Sequence, residues 1–187
     1  MDQARTARRQ RALQKLLVGL FRELFQTETS AVKHCRREAE RLGEATPAVA
    51  LREISRQAEG FLAELPRVAH AHGLPTSPGG AAVGALLSEA RDNLLDRLVR
   101  SERSYRGTLI GLRHGVDLVV LLGQAARERG HAELSAFCDR WLGARVPLVA
   151  SVERELVWFA KQPEDAVRPA RGLLGPRRRS MQRAINA

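Results

Sequence analysis

Apolar residues recur every three or four positions through four long stretches of this chain, which is the period of an amphipathic α-helix. The first stretch is the clearest, and its apolar side chains are Leu13, Leu16, Leu17, Leu20, Phe21, Leu24 and Phe25. No alternating pattern typical of a β-strand occurs in the sequence. The period therefore predicts an all-α fold.

Glycine and proline divide this pattern into two helical hairpins. We predict a first helix over residues 3–42 and a second over 47–72, with Thr46 as the N-cap of the second and a kink at Pro66. The two helices are so close in sequence that they should pack antiparallel. The segment 73–80 has two prolines and three glycines, and it is predicted to connect the two hairpins.

The third helix is predicted to begin near Ala81. If it continued to Arg129 it would have about 49 residues, which is long for a globular protein. Two alternatives are a bend within residues 96–104 or a first segment that acts as a crossover. A fourth helix is predicted over 131–161. Two antiparallel hairpins with one connection predict an antiparallel four-helix bundle.

The net charge of +10 is confined to the two ends of the chain. Residues 1–16 carry +4, residues 168–187 carry +6, and residues 17–167 are neutral with 20 basic and 20 acidic groups. The C-terminal arginines are Arg168, Arg171, Arg177, Arg178, Arg179 and Arg183. Such ends are typical of solvated termini and also of proteins that bind phosphates, anionic membranes or acidic partners.

This distribution suggests three regions. Residues 1–16 would form a basic start of the first helix, 17–161 the bundle, and 162–187 a basic end rich in Pro, Gly and Arg, with both ends flexible. Cys35 and Cys138 are isolated and are predicted to be buried. The sequence shows neither a signal peptide nor a predicted transmembrane segment, so we expect a cytoplasmic protein.

Three acids lie on or beside the predicted apolar faces and are candidate metal ligands. They are Glu28 on the first helix, Glu59 on the second and Glu102 on the third. Folding the first hairpin at its turn would leave Glu28 and Glu59 roughly 4–5 Å apart along the axis. The alternative is that Glu28 and Glu102 are buried acids paired with nearby arginines such as Arg106 or Arg145.

Other polar residues in the predicted bundle have simple structural explanations. His114 and Asp117 are three residues apart, so a local hydrogen bond accounts for them. Without a placed Ser or Cys, they do not form a catalytic triad. Tyr105 and Trp141 are expected to lie in the core.

The segment SERSYRGTLIGLRHGVDLVVLLGQAARERGHAELSAFCDRWLGARVPLVASVERELVWFA resembles the second hairpin of bacterial ferritin-like bundle proteins. LFRELFQTETSAVKH is similar to their first helix, with Glu28 at the place of a ligand. The resemblance implies a ferritin-like bundle that holds two iron or manganese ions with Glu and Glu-x-x-His ligands. Here, however, Glu59 is followed by Leu62 and Glu153 by Leu156. We therefore expect a degenerate member without a bound cofactor.

Three functions remain open from the sequence. The first is a non-enzymatic scaffold or interaction protein, self-associating or bound to a protein partner, whose basic ends dock an anionic partner. The second is iron or manganese binding at Glu28, Glu59 and Glu102. The third is non-specific nucleic-acid binding through the arginine-rich ends.

Overall fold

The computed structural model describes residues 2–76 and 99–170 of the chain. Within them the helices are α1 (Asp2–Leu42), α2 (Thr46–Ala71), α3 (Ser101–Arg129), α4 (Ala132–Arg154), α5 (Leu156–Lys161) and α6 (Pro163–Val167). The described residues form no β-strand, and their only β-type pairing is an isolated bridge between Arg100 and Pro169. The all-α prediction is confirmed.

The four long helices pack side by side. Helix α1 packs against α2 and α3, and α4 packs against α3 and α2. Arg41, near the end of α1, binds Ser101 at the start of α3, whereas Arg9 binds Glu128 at the end of α3. Helices α1 and α3 are therefore antiparallel. His72, after α2, contacts His131, after α3, so these two helices run in the same direction.

The turn between α1 and α2 uses a different cap from the one predicted. Ala45 is the N-cap of α2, with extended backbone, and Thr46 is already inside the helix. The prediction of Thr46 as the cap was wrong because its hydroxyl donates instead to Oε2 of Glu155, at 2.7 Å. Gly43 reverses the chain after α1 at a φ of 62°, a conformation that favours glycine. Pro66 lies inside α2, as predicted.

The third and fourth long helices are shorter than the ranges 81–129 and 131–161 that the sequence suggested. Helix α3 begins at Ser101, after the extended Arg100, so it does not run without interruption from Ala81 to Arg129. The predicted start near Ala81 lies outside the described residues. Helix α4 ends at Arg154, and a tightened turn at Glu155, whose carbonyl accepts a hydrogen bond from the Trp158 N–H at 3.0 Å, precedes α5.

Two apolar clusters fill the space between the long helices. One contains large side chains such as Phe21, Phe137 and Trp141. The other contains Tyr105, with many smaller residues. Tyr105 is fully buried, and its hydroxyl donates to the carbonyl of Val152 at 2.9 Å. The expectation that Tyr105 and Trp141 belong to the core is confirmed.

The chain after α5 packs against the start of α3. The Ala170 N–H donates to the Val99 carbonyl at 2.7 Å, and the Ser101 N–H donates to the Arg168 carbonyl at 2.8 Å. Ala166 and Ala170 are buried. The packed part of the chain therefore extends to Ala170, beyond the boundary at 161 expected from the sequence.

Helix α3 is, by length and composition alone, apolar enough to cross a membrane, although the sequence suggested no such segment. Half of its most apolar window is buried within the protein. Core helices that pack against neighbours on several sides meet the same two criteria. Its main neighbours here are α1 and α4, and the short helices α5 and α6 also contact it.

Candidate functional site

A fully buried ion pair lies at the centre of the four long helices. Nη2 of Arg145 on α4 is 2.8 Å from Oε2 of Glu28 on α1. Their side chains are 1% and 0% exposed. The Arg145 Nε also donates to the side chain of Gln57 on α2, and its guanidinium lies 4.7 Å from the centre of the Trp141 ring. Three of the four long helices thus meet at this one arginine.

Burial dominates the electrostatics of this cluster. It raises the pKa of the Glu28 carboxyl, while the charge and the hydrogen bond of Arg145 act in the opposite direction. The indole of Trp141 also favours the charged carboxylate, although neither its N–H nor Oε1 of Glu28 completes a hydrogen bond within the described part of the chain. Burial raises the pKa of the nearby Cys35 thiol to about 12, so this thiol is not a nucleophile at neutral pH.

The other two candidate metal ligands lie elsewhere, each with its own arginine. Glu59 is half-exposed and pairs with Arg36 on α1. Glu102 is bound by Nε of Arg106, one turn later on α3, at 2.8 Å. Glu28 and Glu102 are therefore both paired with an arginine, as the alternative interpretation expected, but only Glu28 is buried, since the Glu102 side chain is 29% exposed. Among residues 2–76 and 99–170, no three or more His, Cys, Asp or Glu residues are grouped so as to hold a metal ion.

One Glu-x-x-His spacing occurs in the sequence, from Glu128 to His131, but it spans the end of α3 and the following turn. Glu128 pairs with Arg9, and the ring of His131 packs against that of His72 with centroids 5.1 Å apart. Burial and the neighbouring His72 lower the pKa of His131. This spacing therefore does not build a ligand pair inside the helical core.

The structure assigns His114 a different partner from the one expected. Its Nε2 lies 2.8 Å from Oε1 of Glu23 on α1, rather than against Asp117. Both His114 and Glu23 are about half exposed. Their contact joins α1 to α3 at the surface.

A second buried polar cluster was missed by the sequence reasoning. Glu38, 5% exposed, binds Arg41 on its own helix and accepts a hydrogen bond from the Ser104 hydroxyl on α3. Arg41 also donates to the Ser101 hydroxyl at 3.1 Å. Continuing the apolar stripe of α1 from Glu28 by steps of three, four and three reaches Glu38. The signal was thus present in the spacing, and the cluster joins the end of α1 to the start of α3.

A groove of about 620 Å³ lies between α1 and α3. Its lining includes His34, Arg37, Arg103, Gly107 and Gly111. A Cβ at Gly107 or Gly111 would meet nothing within 4 Å. One turn further, a Cβ at Gly115 would lie 2.9 Å from the Thr27 methyl, so the two helices close tightly where the groove ends.

The basic groups at the start of α1 contrast with those in the body. Residues 3–9 are all exposed. Arg9 pairs with Glu128, but within the described chain no ion pair forms on Arg5, Arg8 or Lys15. By contrast, many surface arginines of the body pair with acids, among them Arg36, Arg56, Arg67, Arg106, Arg113, Arg127 and Arg140.

The predicted C-terminal anion-binding arginines fall into two groups. Arg168 pairs with Asp165, with the two groups 2.7 Å apart, so its charge is partly neutralised within the fold. The other five, Arg171, Arg177, Arg178, Arg179 and Arg183, lie outside the described residues. They follow Ala170, which is fixed beside the start of α3.

Comparison of the chain with models of known protein families, with curated proteins and with solved structures finds no match.

Proposed function

We propose that this chain is a non-enzymatic, cytoplasmic scaffold protein whose basic ends dock an anionic partner. Its four long helices would form an antiparallel bundle with ferritin-like topology, a degenerate relative of the metal-binding bundles. The observation that carries the proposal is the distribution of charge. Many surface arginines of the body are paired with acids. The basic groups at the start of α1 are exposed, and within the described residues Arg5, Arg8 and Lys15 form no ion pair.

The helix directions support the ferritin-like topology. Helices α1 and α3 are antiparallel neighbours, and α2 ends at the same end of the molecule as α3. The start of α3 therefore lies at the opposite end from the end of α2. Ferritin-like bundles have one long crossover connection at this point in the chain.

The paired arginines argue that the three candidate ligands are structural acids. To bind iron or manganese, Glu28, Glu59 and Glu102 would each have to exchange a guanidinium for the metal. The described residues contribute no imidazole beside them, and dinuclear sites of this class use imidazole ligands. Protein purified without chelator should therefore contain far less than one iron or manganese per chain by elemental analysis. If the protein instead contained about one metal ion per chain and Glu28→Ala lost it, metal binding would be favoured over the scaffold function.

A pair of charge-matched variants tests the docking function. The first replaces the five arginines 171, 177, 178, 179 and 183 by Gln. The second replaces five exposed, ion-paired arginines of the body by Gln: Arg36, Arg56, Arg67, Arg106 and Arg113. Both variants lower the net charge equally, from +10 to 10 − 5 = +5. Exposed ion pairs contribute at most about 1 kcal/mol each, so the body variant should stay folded.

Binding to a fluorescent DNA duplex, followed by anisotropy, provides the readout. We expect the C-terminal variant to lose at least tenfold in affinity and the body variant to lose much less. Equal losses would show that binding follows total charge rather than the ends. Absence of binding by the unaltered chain would reject nucleic acid as the anionic partner.

A further inference from the structure

We infer that His72 and His131 form a site for one divalent transition-metal ion that favours nitrogen ligands, with zinc as the representative. The two histidines are far apart in the sequence, yet their rings are in contact, with centroids 5.1 Å apart. The site is separate from Glu28, Glu59 and Glu102, and it does not rest on the proposed docking function.

Hydrogen bonds of the main chain fix both histidines at the ends of helices. His72 is the C-cap of α2, and its N–H donates to the Ala69 carbonyl at 3.2 Å. His131 is the N-cap of α4, and its N–H donates to the Ala126 carbonyl of α3 at 2.9 Å. Gly130, with a φ of 80°, reverses the chain just before it. The two rings therefore extend from fixed backbone positions, which lowers the cost of ordering them around an ion.

Buried leucines anchor the chain beside each histidine. Leu74, two residues after His72, is 6% exposed, and Leu134, three residues after His131, is fully buried. Both leucines belong to the apolar cluster that contains Trp141. The two histidines themselves are only half-buried. The core thus holds the backbone in place, while both rings remain accessible to an ion and to the water molecules that would complete its coordination.

The separation of the two rings matches that of two imidazoles on one metal ion. Zinc binds an imidazole nitrogen at about 2 Å in tetrahedral geometry, which places two ring centres roughly 5–6 Å apart. The observed centroids are 5.1 Å apart, and the ring planes are inclined at 76° to each other. We therefore expect rotation about the side-chain bonds to direct one nitrogen of each ring at a shared ion, with no movement of α2 or α4.

Imidazole ligands also select the class of metal. Zinc, copper and nickel bind imidazole nitrogen readily, whereas magnesium and calcium require oxygen ligands. In the described part of the chain no third His, Cys, Asp or Glu joins the pair, and Arg129 places a positive charge near His131. Both features weaken the binding of a cation. We therefore expect an ion that exchanges readily, so the test adds the metal instead of measuring what purified protein retains.

A zinc titration by isothermal calorimetry tests the site. The full chain is treated with a chelator, desalted and titrated with zinc chloride at slightly alkaline pH, and we expect one zinc ion per chain. His72→Gln and His131→Gln each leave a single imidazole, so the zinc affinity should fall by at least about tenfold. His34→Gln is the matched control, because it removes an exposed histidine of α1. This control should keep the zinc affinity of the natural chain.

A thermal-shift measurement makes the test independent of the stability of each variant. The melting temperature of each protein with zinc is compared with its own value without zinc, since an ion that binds the folded state raises this temperature. The natural chain and His34→Gln should show the increase, and the two site variants should lose most of it. Absence of zinc binding by the natural chain, or equal binding by all four proteins, would overturn the site. Neither result would affect the docking function, which DNA affinity tests separately.

Discussion

In the middle of the molecule, Glu28 and Arg145 form a fully buried ion pair. The basic side chains at the start of α1 are exposed instead, and the one ion pair they form with the rest of the described chain joins Arg9 to Glu128. Charges of the first kind cannot reach a partner without unfolding. Charges of the second kind are available to one. Under the proposed function, the titratable groups of the body stabilise the fold, and the ends would bind the anionic partner.

The buried pair also illustrates why acids on apolar faces are weak evidence for metal chemistry. Glu28 satisfies the spacing expected of a ligand, but its partner comes from α4, which is far away in sequence. A buried ion pair adds little net stability relative to apolar side chains, yet an unpaired buried charge is very unfavourable. Such a pair therefore favours the one arrangement of α1 and α4 in which both charges meet.

The largest expected effect comes from breaking this pair. Arg145→Met should lower the free energy of unfolding by about 3–5 kcal/mol, because it leaves the Glu28 carboxyl buried without its partner. The double variant with Glu28→Met and Arg145→Met should recover most of that loss. Urea unfolding followed by circular dichroism measures both. A double variant as unstable as the single one would contradict a pairwise role.

Packing between α1 and α3 gives the next largest effect. Gly115→Ala should destabilise by about 1 kcal/mol, because overpacking against the stiff Thr27 side chain costs about 1–3 kcal/mol and exceeds the gain in helix propensity. Gly111→Ala is the matched control, since its Cβ meets nothing within 4 Å. It should stabilise by about 0.5–1 kcal/mol. The same thermal or urea shift in both variants would show that the contact with Thr27 is not tight.

The pH dependence of stability sharpens the contrast between buried and exposed acids. Because burial raises the folded-state pKa of Glu28 above 4.5, the folded protein holds this proton more tightly than the unfolded chain does. Stability from Glu28 is thus greatest below pH 4.5 and declines as the pH rises through the folded-state value. Glu28→Gln cannot ionise, so relative to it the natural chain should lose stability with rising pH. A constant difference in urea midpoints across this range would contradict the prediction.

The smallest effect is expected at an exposed pair. Glu59→Gln removes the partner of Arg36, with the two side chains 47% and 56% exposed. It should change the free energy of unfolding by less than about 1 kcal/mol, and high salt should reduce the change further. Calorimetry of the two proteins at low and high salt measures it. A loss as large as that in Arg145→Met would remove the distinction between middle and surface.

The helical period was sufficient to predict the four long helices and most of their first and last residues. An amphipathic face depends only on the spacing of apolar residues that are close together in the sequence. The cap at Ala45 and the turn at Glu155 were not predictable, since the contact between Thr46 and Glu155 joins elements that are distant in sequence. The arginine partners of Glu28 and Glu102 were anticipated. Glu59 faced Arg36 instead of Glu28, because axial distance alone does not give the direction of a side chain around the helix.

The dependence of DNA affinity on salt tests the central claim most directly. For each phosphate contact, the slope of log affinity against log salt changes by about 0.9. The variant without the five arginines at 171, 177, 178, 179 and 183 should therefore have a slope up to about 4.5 units shallower than the natural chain. The body variant with the same net charge should change it by less than about 1. Equal slopes in these two variants would contradict the claim that the ends, and not the body, bind the anionic partner.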